Sequence, residues 1–257
     1  MRELLETRIR RGFYLLGSSV GRYPLLYLVI PLLVLLGLAT GFLFFAEENN
    51  VRFQFTPTTS GSMREFRVAQ EFYRERGRPF LLILAVQARD GGNLLRPDYI
   101  KEILRLQKFV HGDLRVDFGG RSYAYADFCH QHCDSNEPID LFLSSYERAR
   151  SLNDPNLHLR YPAAEIYNYP VYVADNLYGV KLDNRTKTVR FAKLMVFHYR
   201  TTLNNDTTRA IVNKWDFTVF DWVQQYRNPL INVSCLSDDQ VSEEVRKTGT
   251  AALPYLR

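Results

Sequence analysis

Cys129-His130-Gln131-His132-Cys133 is the densest run of metal-binding and redox-active side chains in the chain. Two thiolates and two imidazoles could in principle ligate zinc, but structural zinc sites draw ligand pairs from two separated places. Four ligands within five residues would have to fold back sharply around one ion. In an oxidising compartment a disulfide is the expected outcome, either local or to Cys235. Cys129, Cys133 and Cys235 are the only cysteines, so one thiol is left over. Gly17-Ser18-Ser19-Val20-Gly21 matches G-x-S-x-G, which in a hydrolase needs a tight strand-to-helix turn with a His and an acid downstream. Here the string lies among arginines beside an apolar run, so no catalytic residue is assigned. His111, His158 and His198 are isolated and read as structural. Asp238-Asp239 falls at a predicted helix N-terminus, where carboxylates favour the dipole. There is no Walker A string, HExxH or GxGxxG, and no cofactor or metal site is predicted.

Asn184-Arg185-Thr186, Asn205-Asp206-Thr207 and Asn232-Val233-Ser234 are glycosylation sequons, placing Asn184, Asn205 and Asn232 as acceptors. They are useful only outside the cytosol, and the chain carries an element able to divide compartments. Pro24–Phe45 holds no charged residue and has the roughly 20-residue length a helix needs to cross a bilayer. It is longer than the about 7–15 apolar residues of a signal peptide. Five arginines and two glutamates precede it, whereas Glu47 and Glu48 follow it. The positive-inside rule then puts the N-terminus in the cytoplasm. The expected organisation is a cytoplasmic tail (1–23), a transmembrane helix (24–45) and an extracellular or lumenal domain (46–257). Of the formal net charge of +5, the tail carries +3. The remainder is scattered, with no basic stripe, which argues against nucleic acid as a partner.

In the outer domain, residues 49–59 read as extended chain. Ser62 and Glu65 form a capping box opening a helix to about Arg76, with Phe66, Ala69 and Tyr73 at helical spacing. Phe80–Ala88 reads as a buried central strand closed by Asp90-Gly91-Gly92-Asn93. Pro97-Asp98 opens a helix with Ile100, Ile103, Leu104 and Val110 on one face, and Asn136-Glu137-Pro138 opens another, with Ile139, Phe142, Tyr146 and Ala149 at helical spacing. Residues 152–172 read as irregular with short strands. Leu177–Leu182 and Thr188–Tyr199 form a hairpin with Asn184 at its tip. A helix over Thr207–Tyr226 turns Ile211, Trp215, Val219, Trp222 and Tyr226 inward, and Asn213, Asp216, Asp221 and Gln224 outward. Ile231–Cys235 alternates as a strand, and Ser237 and Gln240 form a second capping box. The fold class is α+β: one transmembrane helix followed by a ferredoxin-like βαββαβ domain with insertions.

Residues 53–73 (FQFTPTTSGSMREFRVAQEFY), 90–103 (DGGNLLRPDYIKEI), 125–133 (YADFCHQHC) and 237–256 (SDDQVSEEVRKTGTAALPYL) resemble patched-related, sterol-sensing-domain membrane proteins of the resistance–nodulation–division superfamily. The resemblance covers essentially the whole chain. It implies the N-terminal portion of a longer protein with about a dozen membrane helices and two extracellular, ferredoxin-like domains. Its implied work is the transport or reception of sterols or other lipids, without catalysis, at the plasma membrane or in vesicles. The implied partners are the bilayer, a sterol or other lipid, the remaining membrane helices and a second extracellular domain. Gly37 and Gly41 would then mark a helix-packing face. A type II signal-anchored lumenal enzyme of glycosyltransferase kind, or a single-pass structural glycoprotein, shares the topology; against the enzyme, no D-x-D motif or stem region is present.

Overall fold

The computed structural model describes residues 2–44, 56–57, 59–72, 78–152 and 154–255. The chain divides into two compact units, Met1–Glu48 and Asn49–Arg257. In the first, the expected basic tail is a helix, α1 (Arg2–Arg22), followed by α2 (Pro24–Ala39). Proline drives the residue before it out of the helical region, and Tyr23 accordingly sits at φ −135°, ψ 59°. Pro24 then takes a first-turn position, where a missing N–H goes unnoticed. The result is a 95° bend between Ile9–Arg22 and Pro24–Ala39. The continuous helix expected over 24–45 stops at Ala39; Thr40–Phe44 is a 3-10 segment and Phe45 lies outside the described residues. Gly37 and Gly41 therefore straddle a change of helix type and do not share one α-helical face. Among the described residues no single helix is long and apolar enough to cross a membrane; only the bent pair together has that length and apolarity.

The second unit opens with α3 (Gly61–Phe72). Its cap is Ser60, whose Oγ accepts the Met63 N–H at 3.4 Å, and Ser62 instead bonds Ser60 at 2.8 Å. The expected cap was therefore two residues late, and the expected helix end near Arg76 lies outside the described residues. So does most of the stretch 49–59.

Next come β1 (Arg78–Ala88), α4 (Pro97–Lys108) and a π-helical turn, Phe109–Asp113. A hairpin follows, β2 (Arg115–Phe118) and β3 (Arg121–Ala124), turning through Gly119 and Gly120 at φ 58° and 78°. Two consecutive positive φ values are what a tight hairpin turn asks of glycine. After α5 (Glu137–Leu152), residues expected to be largely irregular form a three-stranded antiparallel sheet: β4 (Leu157–His158), β5 (Ala163–Ile166) and β6 (Tyr169–Tyr172).

The expected single hairpin is divided in two. β8 (Lys181–Leu182) pairs with β9 (Val189–Phe191), and β7 (Leu177–Tyr178) pairs with the start of β10 (Leu194–Leu203). The chain ends with α6 (Asp206–Gln225), β11 (Ile231–Ser237) and α7 (Asp238–Ala252). The architecture is mixed α+β with several small antiparallel sheets, the largest ordered β11-β1-β10-β7.

In that sheet period two decides the core. Leu82, Leu84 and Val86 are fully buried and lie opposite Tyr199, Phe197 and Met195, whereas Leu81, Ile83 and Ala85 on the other face are half-buried. β1 is central as expected, but only one face is closed. Trp215 of α6 meets that face within a ring cluster of Tyr125, Phe128 and Tyr199, centroids 5.0–5.8 Å apart.

Beyond β7 the outer edge of β10 has no strand beside it among the described residues, yet its backbone is paired. Asn176 serves Val196, Asn136 serves both the N–H and C=O of His198, and the Tyr125 hydroxyl does the same for Arg200 at 3.0 and 2.8 Å. Three polar side chains, with the Asn176 backbone carbonyl taking the Val196 N–H, thus stand in for a strand, which explains their burial and blunts an edge that could otherwise pair with another chain.

Candidate functional site

An apolar concavity with a volume of about 620 Å³ lies between α6, β11 and α7. Phe220, Leu236, Val241 and Val245 form its walls, and Gly249 lies at one end. Alternation along β11 turns Leu236 outward, while Val241 and Val245, four apart on α7, share a face with it. These side chains stay uncovered: Leu236 is 54% exposed and Val245 57%. The groove is thus an apolar surface that the fold builds and leaves open.

Beneath it lies a charge that sequence reasoning placed in solvent. Asp216 was expected on the polar face of α6 and is fully buried. Ser237 Oγ donates to one carboxylate oxygen at 2.5 Å and Gln240 Nε2 to the other at 2.6 Å. Ser237 Oγ also accepts the Gln240 N–H at 3.1 Å, so half of the expected capping box forms. The Gln240 side chain turns instead to Asp216, which ties the start of α7 to α6. Burial pushes the Asp216 carboxyl up to about 7, helped by nearby Asp239 and opposed by its two donors. Cys235, free and half-buried, is pushed up to about 11 by burial and then by the Asp216 charge. A thiol held protonated is a poor nucleophile. Among the described residues no histidine lines the groove. The arrangement suits holding an apolar body beside a few polar atoms, and lacks a paired nucleophile and base.

The other predicted residues lie apart. Cys129 and Cys133 are joined locally, their Cα atoms 4.9 Å apart across the turn His130–His132, leaving Cys235 as the third thiol. Among the described residues no group of three or more His, Cys, Asp or Glu side chains could hold a metal ion. The three sequon asparagines are all exposed, on separate elements. Asn184 sits in the turn between β8 and β9, braced by Asp183, which accepts from the Arg185 and Thr186 N–H groups. Asn205 caps α6, its Oδ1 accepting the Thr208 N–H at 2.7 Å. Asn232 is on β11. Ser19 of the G-x-S-x-G string lies within α1, its Oγ accepting the Tyr27 hydroxyl at 2.8 Å, with no strand-to-helix turn around it. His111 packs edge-on against Tyr125, and burial then Arg200 lower His198.

A second carboxyl, that of half-buried Asp140 on α5, is likewise pushed up to about 7, by burial and then by Glu137. Its Oδ1 and the Tyr199 hydroxyl are both buried without a hydrogen-bond partner. Asp216 carried a readable signal. Val212, Asp216, Val219 and Val223 recur at spacings of four, three and four, an apolar stripe with one acid in it. Counting only the Ile211–Trp215–Val219 row hides that neighbouring row. No family model matches the chain.

Proposed function

We propose that this chain is the membrane-anchored N-terminal part of a patched-related protein, and that its outer domain holds a sterol or other lipid without transforming it. The open apolar groove between α6, β11 and α7 carries the reading. Three further observations support it. Pro24–Phe44 contains no charge, and as 16 α-helical and five 3-10 residues it extends about 34 Å, against about 30 Å of hydrocarbon. The strand order β11-β1-β10-β7, with α4 after β1 and α6 after β10, is the order a ferredoxin-like βαββαβ domain requires. Exposed Asn184, Asn205 and Asn232 agree with an extracellular or lumenal outer domain.

Photolabelling tests the reading. Full-length protein in vesicles is irradiated with a photoreactive sterol, and the adducts are mapped by peptide mass. Adducts should fall on 236–249 and be lost in Val245→Arg, a change at an exposed position that leaves the core intact. Labelling of α2 alone, or labelling that Val245→Arg leaves unchanged, would sink the groove assignment.

A further inference from the structure

We propose that α1 is an in-plane membrane helix, its apolar face set into the headgroup boundary and its arginines binding anionic phospholipid headgroups. This rests on the reading of Pro24–Phe44 as a membrane span.

Ile9, Phe13, Leu16 and Val20 recur at spacings of four, three and four and so share one face of α1. All four are uncovered, Phe13 at 70% and Leu16 at 51%. Arg11, Ser18 and Arg22 recur at seven and four on the opposite face, and Arg10 flanks it. Tyr14 and Leu15 interrupt that polar side, while the apolar face itself carries no charge between Ile9 and Val20. An amphipathic helix with arginines on its polar side and Phe and Leu on the other is the kind that lies in the interface plane.

The bend supplies the orientation. At 95° to α2, α1 runs parallel to the bilayer surface whenever α2 runs along its normal. The corner is tied at several points. The Tyr23 N–H donates to the Ser19 carbonyl at 3.0 Å, the Tyr27 hydroxyl donates to Ser19 Oγ, and the Arg22 guanidinium stands 5.9 Å over the Tyr23 ring. Tyrosine is also the side chain suited to headgroup depth. Ser19, midway between the apolar and polar faces, is the α1 residue that these contacts leave half-covered while its neighbours stay exposed. α2 therefore leaves the apolar side of α1 uncovered and free to meet the bilayer. Charge selects the lipid: Arg10, Arg11 and Arg22 are cations with exposed side chains, and a basic residue close to an anionic leaflet gains about fivefold in binding.

Nitroxide labels on the full chain in vesicles, with and without phosphatidylserine, test this. Phe13→Cys, Ser18→Cys and Leu33→Cys are each made on a Cys235→Ser background, and accessibility to oxygen and to a water-soluble nickel chelate is measured. The Leu33 label should be deep, the Phe13 label oxygen-accessible at headgroup depth, and the Ser18 label open to nickel. Arg10→Gln, Arg11→Gln and Arg22→Gln together should weaken α1 partition into phosphatidylserine vesicles by about a hundredfold and release the Phe13 label to water. A deep Leu33 label with the Phe13 label in water, shielded from both reagents by protein, or equally immersed without phosphatidylserine, overturns the proposal and leaves the span standing. A Leu33 label in water overturns the span itself, and the proposal with it.

Discussion

The two compact units treat apolar side chains in opposite ways. In α2 every described side chain is exposed, including Leu25 at 75% and Leu38 at 70%, and the helix is apolar on all sides. In the second unit Leu82, Leu84, Val86, Phe197 and Trp215 are fully covered by one another and by their neighbours. A helix apolar all round has no inside and outside in water, whereas period two on β1 and the 3.6 period on α6 each define one. The second unit therefore has a core of its own, and α2, apolar on every side, has none. Within the second, the closed face of the sheet contrasts with the groove beside α7, where apolar side chains are again left open.

The largest effect separates these regimes. Trp215→Ala removes the ring that Tyr125, Phe128 and Tyr199 pack against, and should cost about 3–5 kcal/mol of the second unit's stability in a denaturant titration. Leu33→Ala, at a position 60% exposed, should leave that transition where it was. Equal losses would break the distinction between the two units.

The next prediction turns on the carboxyls of Asp216 and Asp140. Asp216 has a pKa raised in the folded state from 3.8 to about 7. The folded protein therefore holds a proton that the unfolded chain releases above about pH 4. Its contribution to stability is fully present below about pH 4 and is lost as pH rises through about 7. At about 1.4 kcal/mol per unit the loss is on the order of 4 kcal/mol for this group. Asp140 shifts in the same direction, so the domain should be more resistant to denaturant at pH 5 than at pH 8. Asp216→Asn should flatten much of that slope, since an amide does not titrate in this interval. A slope unchanged in Asp216→Asn would show that the acid does not titrate in this interval.

A change of a few atoms sharpens the contrast between the two long edges of β10. One edge is paired to β1; the other depends on Asn176, Asn136 and Tyr125. Tyr125→Phe keeps the ring but strands the N–H and C=O of Arg200, and should cost about 1–3 kcal/mol. Hydrogen exchange at the Arg200 amide should accelerate more than at Phe197 on the same strand. Uniform acceleration along β10 would instead mean that the hydroxyl stabilises the whole domain without protecting that edge.

What could be read from the sequence follows the range of the interactions. The helix over α6, the central position of β1 and the outward Asn232 rest on period and side-chain alternation, which are local. The positive-φ pair Gly119-Gly120 is local too, and its hairpin was legible but passed over. Asn136 is different: next to Glu137-Pro138 it reads as a helix start, and its burial depends on His198, 62 residues away. Asp216 lies between, because its stripe on α6 is visible while its donors Ser237 and Gln240 are not. The α1 helix was hidden by its charge, since arginines on one face look like a solvated tail until the bend at Tyr23 is known.

The smallest effect concerns Asn205, where a helix cap and a sequon asparagine coincide. Glycosylation uses the side-chain nitrogen, while the cap uses Oδ1, which accepts the Thr208 N–H at 2.7 Å. The two roles are therefore compatible in one residue. Asn205→Ala should remove both, costing about 1 kcal/mol through the lost cap. Thr207→Ala should remove only the sequon and leave stability near wild type. In protein made through a secretory route, each variant should lose one glycosidase-sensitive band shift. If both lose the shift but neither loses stability, the cap is replaced by water at the α6 N-terminus. If neither loses the shift, either Asn205 is not modified or the outer domain does not reach the glycosylating compartment. Asn184→Ala separates these, because it removes an acceptor at an exposed turn with no helix to cap.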